Sequence, residues 1–152
     1  MKLRNAATVR RLLGASIALI ATSFWLPVSA QGTGSLDGER NFYSPSRNIG
    51  CLLYLDEGEA VVRCLISETA KPLPPQPADC DLDWGDFGVS SKSRKGYMIC
   101  HGDTIAGDYP TLPYGHAVTV GDITCTSDRI GVTCRNGRGA GFFLSRAKQQ
   151  LF

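Results

Sequence analysis

The chain has 152 residues, of which 43% are hydrophobic and 20% are charged, and its formal net charge is +2. This length allows one small domain. The first thirty residues hold four of the 16 Lys and Arg and none of the 14 Asp and Glu, so the rest carries 12 basic against 14 acidic side chains, a net charge of −2. That excess of acid offers little attraction for phosphates, and we expect no nucleic-acid partner.

Residues 1–30 have the layout of a secretory signal peptide. A basic stretch precedes an apolar run, and a small residue stands on each of the −3 and −1 positions before Gln31. We expect cleavage after Ala30, which leaves a periplasmic or secreted protein with no stable membrane insertion. The alternative is an uncleaved anchor, but Gly14 and Pro27 make the run weakly apolar for the ~20 residues that a membrane span needs.

The exported part divides into a leader and a domain. Residues 31–41 are polar and rich in glycine, and we expect them to be disordered. A single β domain is expected over residues 42–152, and all six cysteines of the chain lie in it. An even number of cysteines in a small exported domain indicates a framework of disulfides.

The first two cysteines flank a predicted β-hairpin. The segment between Cys51 and Cys64 is apolar at both ends and acidic in its middle. A two-residue turn at Glu57 and Gly58 places the two cysteines directly opposite each other. They then occupy a non-hydrogen-bonded pair, where Cα atoms approach to about 4.5 Å, and a disulfide can bridge that distance.

The same counting applies to a second hairpin. A turn at residues 129–130 places Cys125 opposite Cys134, again at a non-hydrogen-bonded pair. Two hairpins that each centre their own cysteines favour the pairs 51–64 and 125–134. Cys80 and Cys100 are then left to pair with each other.

The remaining segments predict further short strands and a proline-rich connection. Residues 71–77 contain four prolines and predict an extended crossover, because proline lacks a backbone donor and fixes φ. The last residues predict one helical turn with Ser145 as its cap. We therefore expect an all-β fold, a disulfide-stapled antiparallel sandwich or barrel of roughly seven to nine strands.

Three aspartates at alternate positions raise the question of calcium. On a strand, Asp79, Asp81 and Asp83 would share one face. The EF-hand pattern fails, because its sixth and twelfth positions hold Trp84 and Ser90 instead of Gly and Glu. Another calcium geometry stays open, while a half-buried strand with a polar outer face is the simpler interpretation.

No set of residues matches a known catalytic or zinc motif. His101 and Asp103 could orient a base, although such a pair is commonly a turn with its own hydrogen bonds. The adjacent Cys100 and His101 would point to opposite faces of a strand, and no CxxC is present, so we expect no metal and no cofactor. The segment LPYGHAV places Tyr114 and His116 in a loop before a strand, and we predict them as a binding surface.

Several stretches together resemble a known family: FYSPSRNIGC, VVRCLI, CDLDWG, CHGDT, LPYG and GVTCRNGRGAGFFLSR. The chain is similar over residues 42–150 to small secreted bacterial proteins known only as a domain of unknown function. That pattern has glycine where this chain has Arg47, a difference that bears on a turn needing positive φ. The resemblance implies export, one fold unit and the cysteine framework, and it implies no activity or catalytic residue.

These observations lead to one principal hypothesis and two alternatives. The principal hypothesis is a non-enzymatic binding or envelope-associated module, whose partner is an envelope or extracellular protein or a glycan. The first alternative is an inhibitor of a secreted hydrolase such as a lysozyme or a protease, by analogy of fold. The second is a small hydrolase that uses Asp103, His101 or His116.

Overall fold

Residues 38–152 are described in the computed structural model, and ten β-strands run through them. The predicted signal peptide and most of the predicted leader lie outside these residues. No helix of sufficient length and apolar character to cross a membrane occurs in the part described. The strands are β1 (Arg40–Tyr43), β2 (Ile49–Asp56), β3 (Glu59–Ile66), β4 (Asp83–Ser90), β5 (Tyr97–His101), β6 (His116–Val120), β7 (Ile123–Asp128), β8 (Gly131–Arg135), β9 (Gly141–Leu144) and β10 (Gln149–Leu151).

The strands form two five-stranded antiparallel sheets that follow chain order. Strands β1 to β5 make the first sheet and strands β6 to β10 make the second. Side chains alternate between core and surface: in β3, Ala60, Val62 and Cys64 are buried while the residues between them are half-buried. The buried faces of both sheets supply one core, as in a sandwich. Its largest buried side chains are Phe42, Phe87, Phe142, Leu53, Ile123 and Leu144.

The β2–β3 hairpin has the register predicted from its sequence. Asp56 pairs with Glu59, and Glu57 and Gly58 between them have φ values of 49° and 84°. Two successive positive φ values are typical of a type I′ turn, whose twist matches that of the strands. Six positions from the turn residues on either side, Cys51 lies opposite Cys64 with their Cα atoms 4.1 Å apart, and the two form a disulfide.

Two further disulfides complete the framework: one is the pair that the register predicts, and the other joins the two cysteines left over. Cys125 and Cys134 face each other on β7 and β8 with Cα atoms 4.1 Å apart, and Cys80 is bonded to Cys100. The Sγ atoms of Cys64 and Cys134 lie 3.9 Å apart in the core. Since disulfide sulfurs carry no proton, that contact is packing between the two sheets. Three disulfides in so small a domain indicate an oxidising compartment.

The predicted C-terminal helical turn is wrong. Ser145 accepts at its Oγ a hydrogen bond from the backbone of Lys148 in a tight turn, which leads into β10. Strand β10 pairs with β9, and its Leu151 packs against the core. The strand is more stable than a helical turn here. It satisfies the outer backbone hydrogen-bonding groups of β9, whereas a single helical turn orders several residues for few hydrogen bonds.

The first strand begins at Arg40, shortly before the predicted start of the domain at residue 42. Its Phe42 lies opposite Cys51 of β2 and is buried. The connection from β5 to β6 docks on this strand, because Tyr43 donates a backbone hydrogen bond to Pro110 and accepts one from Leu112. This connection carries the chain from the first sheet to the second.

Candidate functional site

One end of the sandwich is closed by hydrogen bonds between loops of the two sheets. The Asn136 amide, in the β8–β9 turn, donates to the carbonyl of Ser90 at the end of β4 (2.9 Å) and to that of Ser93 in the β4–β5 loop (2.8 Å). Asp122, in the β6–β7 turn, accepts a hydrogen bond from the hydroxyl of Ser91. These bonds fix the loops of the two sheets to one another at this end.

An ion pair strengthens the closed end. Glu59, at the start of β3, lies 2.7 Å from the ammonium group of Lys92 in the β4–β5 loop. The hydrogen bond with Lys92, followed by one with Ser90, lowers the pKa of Glu59 to about 2. A carboxylate with a lowered pKa stabilises the fold while it stays ionised.

The stabilisation by Glu59 should therefore fade in acid. Its contribution is complete above the ordinary carboxyl pKa of 4.5 and is lost as the pH falls from there through about 2. Thermal unfolding between pH 2 and pH 6 should show a difference between wild type and Glu59→Gln that shrinks in this window. Glu57→Gln, at a carboxylate with no ion pair within residues 38–152, is the control. A difference independent of pH would contradict the expectation.

The opposite end of the sandwich is open and holds a cleft of about 520 Å³. Ligand sites of small molecules commonly have volumes of this order. Loops from both sheets form it: the β1–β2 turn, the start of the β3–β4 connection, the turn before β6, the β7–β8 tip and the β9–β10 turn. Its lining residues are Ser44, Ser46, Arg47, Asn48, Ile49, Ser67, Glu68, Tyr114, Asp128, Arg129, Ile130, Gly131, Ser145, Arg146 and Ala147.

Tyr114 reaches this cleft from a tight turn. The backbone of His116 donates to the carbonyl of Pro113 (3.1 Å), and Gly115 has a φ of 81°, as a type II turn requires. The Gly115 amide also donates to Ser127 of β7 (2.7 Å), which anchors the turn to the second sheet. The Tyr114 side chain, 39% exposed, lines the cleft. The side chain of His116, the other residue predicted there, is exposed at the start of β6 and is not part of the lining.

Two arginines of the cleft stack on tyrosines. The guanidinium carbon of Arg129 lies 5.4 Å from the ring centre of Tyr114, and that of Arg47 lies 4.5 Å from the ring centre of Tyr43. Both distances allow cation–π attraction. Neither arginine forms an ion pair with any residue in the described part of the chain. Their donors are thus free to bind an anionic group.

Arg47 has a backbone conformation that is costly for a side chain. Its φ is 57°, in the left-handed region, where its amide donates to the carbonyl of Ser44 (2.8 Å). Glycine adopts this conformation without the penalty of about 1 kcal/mol that other residues incur. Arg47 therefore places a cation at the cleft at the cost of backbone strain.

A second cluster of polar groups lies on the outer face of the first sheet. The Arg63 guanidinium donates from Nε to Asp86 (2.6 Å), from Nη1 to the Asp103 carboxylate (2.9 Å) and from Nη2 to the Asp103 carbonyl (2.6 Å). This contact lowers the pKa of the Asp103 carboxyl. Burial alone would lower the pKa of Arg63, but the hydrogen bonds to Asp103 and Asp86 more than offset that effect and raise it.

His101 belongs to this cluster as well. Its Nδ1 lies 2.7 Å from the Asp103 carbonyl, and because a carbonyl only accepts, Nδ1 carries the proton. Its Nε2 lies 3.5 Å from the Asp86 carboxylate. Both ring nitrogens therefore face groups of the domain itself, and within residues 38–152 no hydroxyl or thiol is hydrogen-bonded to the ring. The arrangement ties β3, β4, β5 and the following loop together.

The prediction that Asp79, Asp81 and Asp83 share one face of a strand is wrong. Strand β4 begins only at Asp83, and the preceding residues, with Asp79 and Asp81, form turns and irregular backbone with exposed side chains. The disulfide to Cys100 and the prolines before it hold that backbone out of the sheet. Within residues 38–152 one set of potential ligand atoms is close enough for a metal, and its sulfurs all belong to disulfides. That set is Cys51, Cys64 and Cys134.

The sequence of the whole domain can be compared with known families. The model of the family described as "Family of unknown function (DUF6636)" matches residues 18–152. The chain belongs to this family. The DUF6636 match covers every strand described above, the six cysteines and all residues of the cleft. No curated protein and no solved structure matches the chain.

Sequence reasoning found Tyr114, His101 and Asp103 but missed the arginines of the cleft. Each arginine, taken alone in the sequence, is an ordinary surface residue. The sequence indicated Arg47 only as a residue of a turn, not as a cation of a site. Nothing local in the sequence distinguishes Arg129.

Proposed function

We propose that this DUF6636 domain is a non-enzymatic binding module, exported to the periplasm or beyond, that meets its partner through the open end cleft. The supporting observation is the difference between the two ends. Asn136 and Asp122 close one end across the sheets, while five loops leave the other end open around Tyr114 and the two arginines. A rigid scaffold that presents loops at one end is common in binding domains.

The three disulfides and the basic, apolar first thirty residues favour export. The hydrogen bond at Nδ1 of His101 and the contact of its Nε2 with Asp86 favour a structural role for that residue, and thus a binding function over hydrolysis. The partner is expected among envelope or extracellular proteins and glycans.

Site-specific photo-crosslinking tests which end of the domain is used. A benzoylphenylalanine replaces Ile130, which is 76% exposed at the cleft, and in a matched variant it replaces Arg138, which is exposed at the closed end. Both positions lie in hairpin turns of the second sheet. We expect adducts with envelope material from Ile130 and few from Arg138, and a loss of the Ile130 adducts when Tyr114→Ser is added. Equal labelling from both positions would refute the proposal.

A further inference from the structure

The charge of the cleft differs in sign from that of the exported chain. Three arginines and two carboxylates line it, and Arg146 pairs with one of these carboxylates, Glu68. Arg47 and Arg129 then face a single remaining acid, Asp128. The cleft is therefore locally positive in a chain whose part after residue 30 carries 12 basic and 14 acidic residues. Such a site attracts an anion.

The Arg47 guanidinium already contacts an aromatic ring before any ligand binds. Its guanidinium lies over the ring of Tyr43, which is buried and packs on Gly50, where a Cβ would come within 2.6 Å of the ring. The ring of Tyr43 also packs on that of Tyr109, with the two ring centres 5.6 Å apart. A side chain that is already ordered loses less entropy on binding, which raises affinity.

Small polar side chains outnumber large apolar ones among the other lining residues. The large apolar side chains exposed in the cleft are Ile130 and Tyr114, whereas four serines and Asn48 are polar. Most of these polar groups already hydrogen-bond within the domain. The Ser67 hydroxyl has no such bond within residues 38–152 and can pair with a hydroxyl of a sugar, while the Tyr114 ring offers it an apolar face.

We propose that the cleft binds an acidic saccharide, with Arg47 and Arg129 as the residues that bind its carboxylates. A guanidinium donates two parallel hydrogen bonds to a carboxylate, and these charge-assisted bonds are stronger than bonds between neutral groups. The polar side chains and Tyr114 contact the rest of the sugar. This ligand class rests on the proposed function, because it names what enters the same cleft.

A pair of probes that differ only in charge tests the ligand class. Tetragalacturonate and its methyl ester have the same sugar skeleton, and a tetramannuronate serves as a second acidic saccharide. Titration of the ¹⁵N-labelled domain should show that the two acids shift the amide signals of the cleft loops, with at least about tenfold tighter binding than the ester. Binding of the acids should weaken as NaCl rises from 50 mM to 500 mM, since salt screens exposed charges.

Variants of the two arginines test their role. Arg47→Gly and Arg129→Gln should each weaken binding of tetragalacturonate by about tenfold, the loss expected for a hydrogen bond to a charged group. Arg138→Gln, at the closed end, removes the same charge outside the cleft and should leave binding unchanged. Arg47→Gly should keep or raise the melting temperature because it removes the left-handed strain, so its weaker binding would not come from unfolding.

Each of three results would overturn the proposal. The first is equal affinity for the acid and the methyl ester, and the second is no binding of either acidic saccharide at millimolar concentration. The third is tighter binding of tetraglutamate than of both saccharides, which would assign the cleft to acidic peptides. In all three cases, stronger crosslinking from Ile130 than from Arg138 would still support the binding module, so the two proposals fail separately.

Discussion

Removal of the Cys51–Cys64 disulfide should destabilise the domain by about 4 kcal/mol, compared with about 3 kcal/mol for Cys80–Cys100. Loop length alone gives the opposite order, because the first bond spans 13 residues and the second spans 20. Each cross-link is worth about 3 kcal/mol through the entropy of the unfolded chain. The difference arises in the core: both cysteines of the first bond are fully buried, whereas Cys100 is exposed.

Packing between two of the disulfides adds a second expectation. The Sγ atoms of Cys64 and Cys134 lie 3.9 Å apart, so the disulfide of the β2–β3 hairpin contacts that of the β7–β8 hairpin in the core. Loss of either bond leaves a cavity beside the other. Replacement of both bonds should therefore deviate from the sum of the separate losses by at least about 0.5 kcal/mol.

Urea unfolding of paired Cys→Ala variants measures these terms. The variants remove each disulfide in turn, and a fourth variant removes both hairpin bonds. A ranking of losses by loop length, with 80–100 costing the most and 125–134 the least, would show that chain entropy dominates and that the core contact matters little. Full reduction of the wild type should unfold it, since three such losses approach the 5–15 kcal/mol that stabilises most domains.

The hairpins could be predicted because each one is determined locally. Alternating apolar residues, a turn with Glu57 and Gly58, and paired cysteines all specify the same register, and a slip by one residue would move every core side chain to the surface. The two strands that were missed lie at sheet edges, where β1 reads RNFY and β10 reads QQL. Neither sequence has a periodic apolar pattern. Both strands are stabilised by backbone pairing with the adjacent strand, which a local pattern does not reveal.

The sites depend on the fold as a whole and were only partly predictable. Tyr114 stood out because proline and glycine flank it and define a rigid turn. The cleft around it consists of loops from distant parts of the chain, so no local pattern places Arg47 beside Arg129. The β-bulge between Trp84 and Asp86 shifts the register of β4 against β5, so the sequence pattern did not place His101 near Asp86.

Replacement of Arg63 by methionine should cost about 3 kcal/mol, the range found when one partner of a buried ion pair is removed. The side chains of Arg63 and Asp86 are 12% and 9% exposed, and their atoms lie 2.6 Å apart. Without the guanidinium, Asp86 would keep only His101, at 3.5 Å, and Asp103 would lose its contact with the sheet. Chemical unfolding measures the loss, and faster amide exchange over residues 102–105 would report release of the loop.

Two further variants separate the buried charge from the general effect of losing an arginine. Arg63→Met combined with Asp86→Leu removes both charges and should recover most of the loss, because well-packed apolar residues often replace a buried ion pair without penalty. Lys92→Met breaks the exposed pair with Glu59 and should cost much less than the loss of Arg63, because water and salt screen exposed charges. A loss at Arg63 as small as that at Lys92 would mean that water reaches Asp86, and the cluster would then be a solvated group able to bind a ligand.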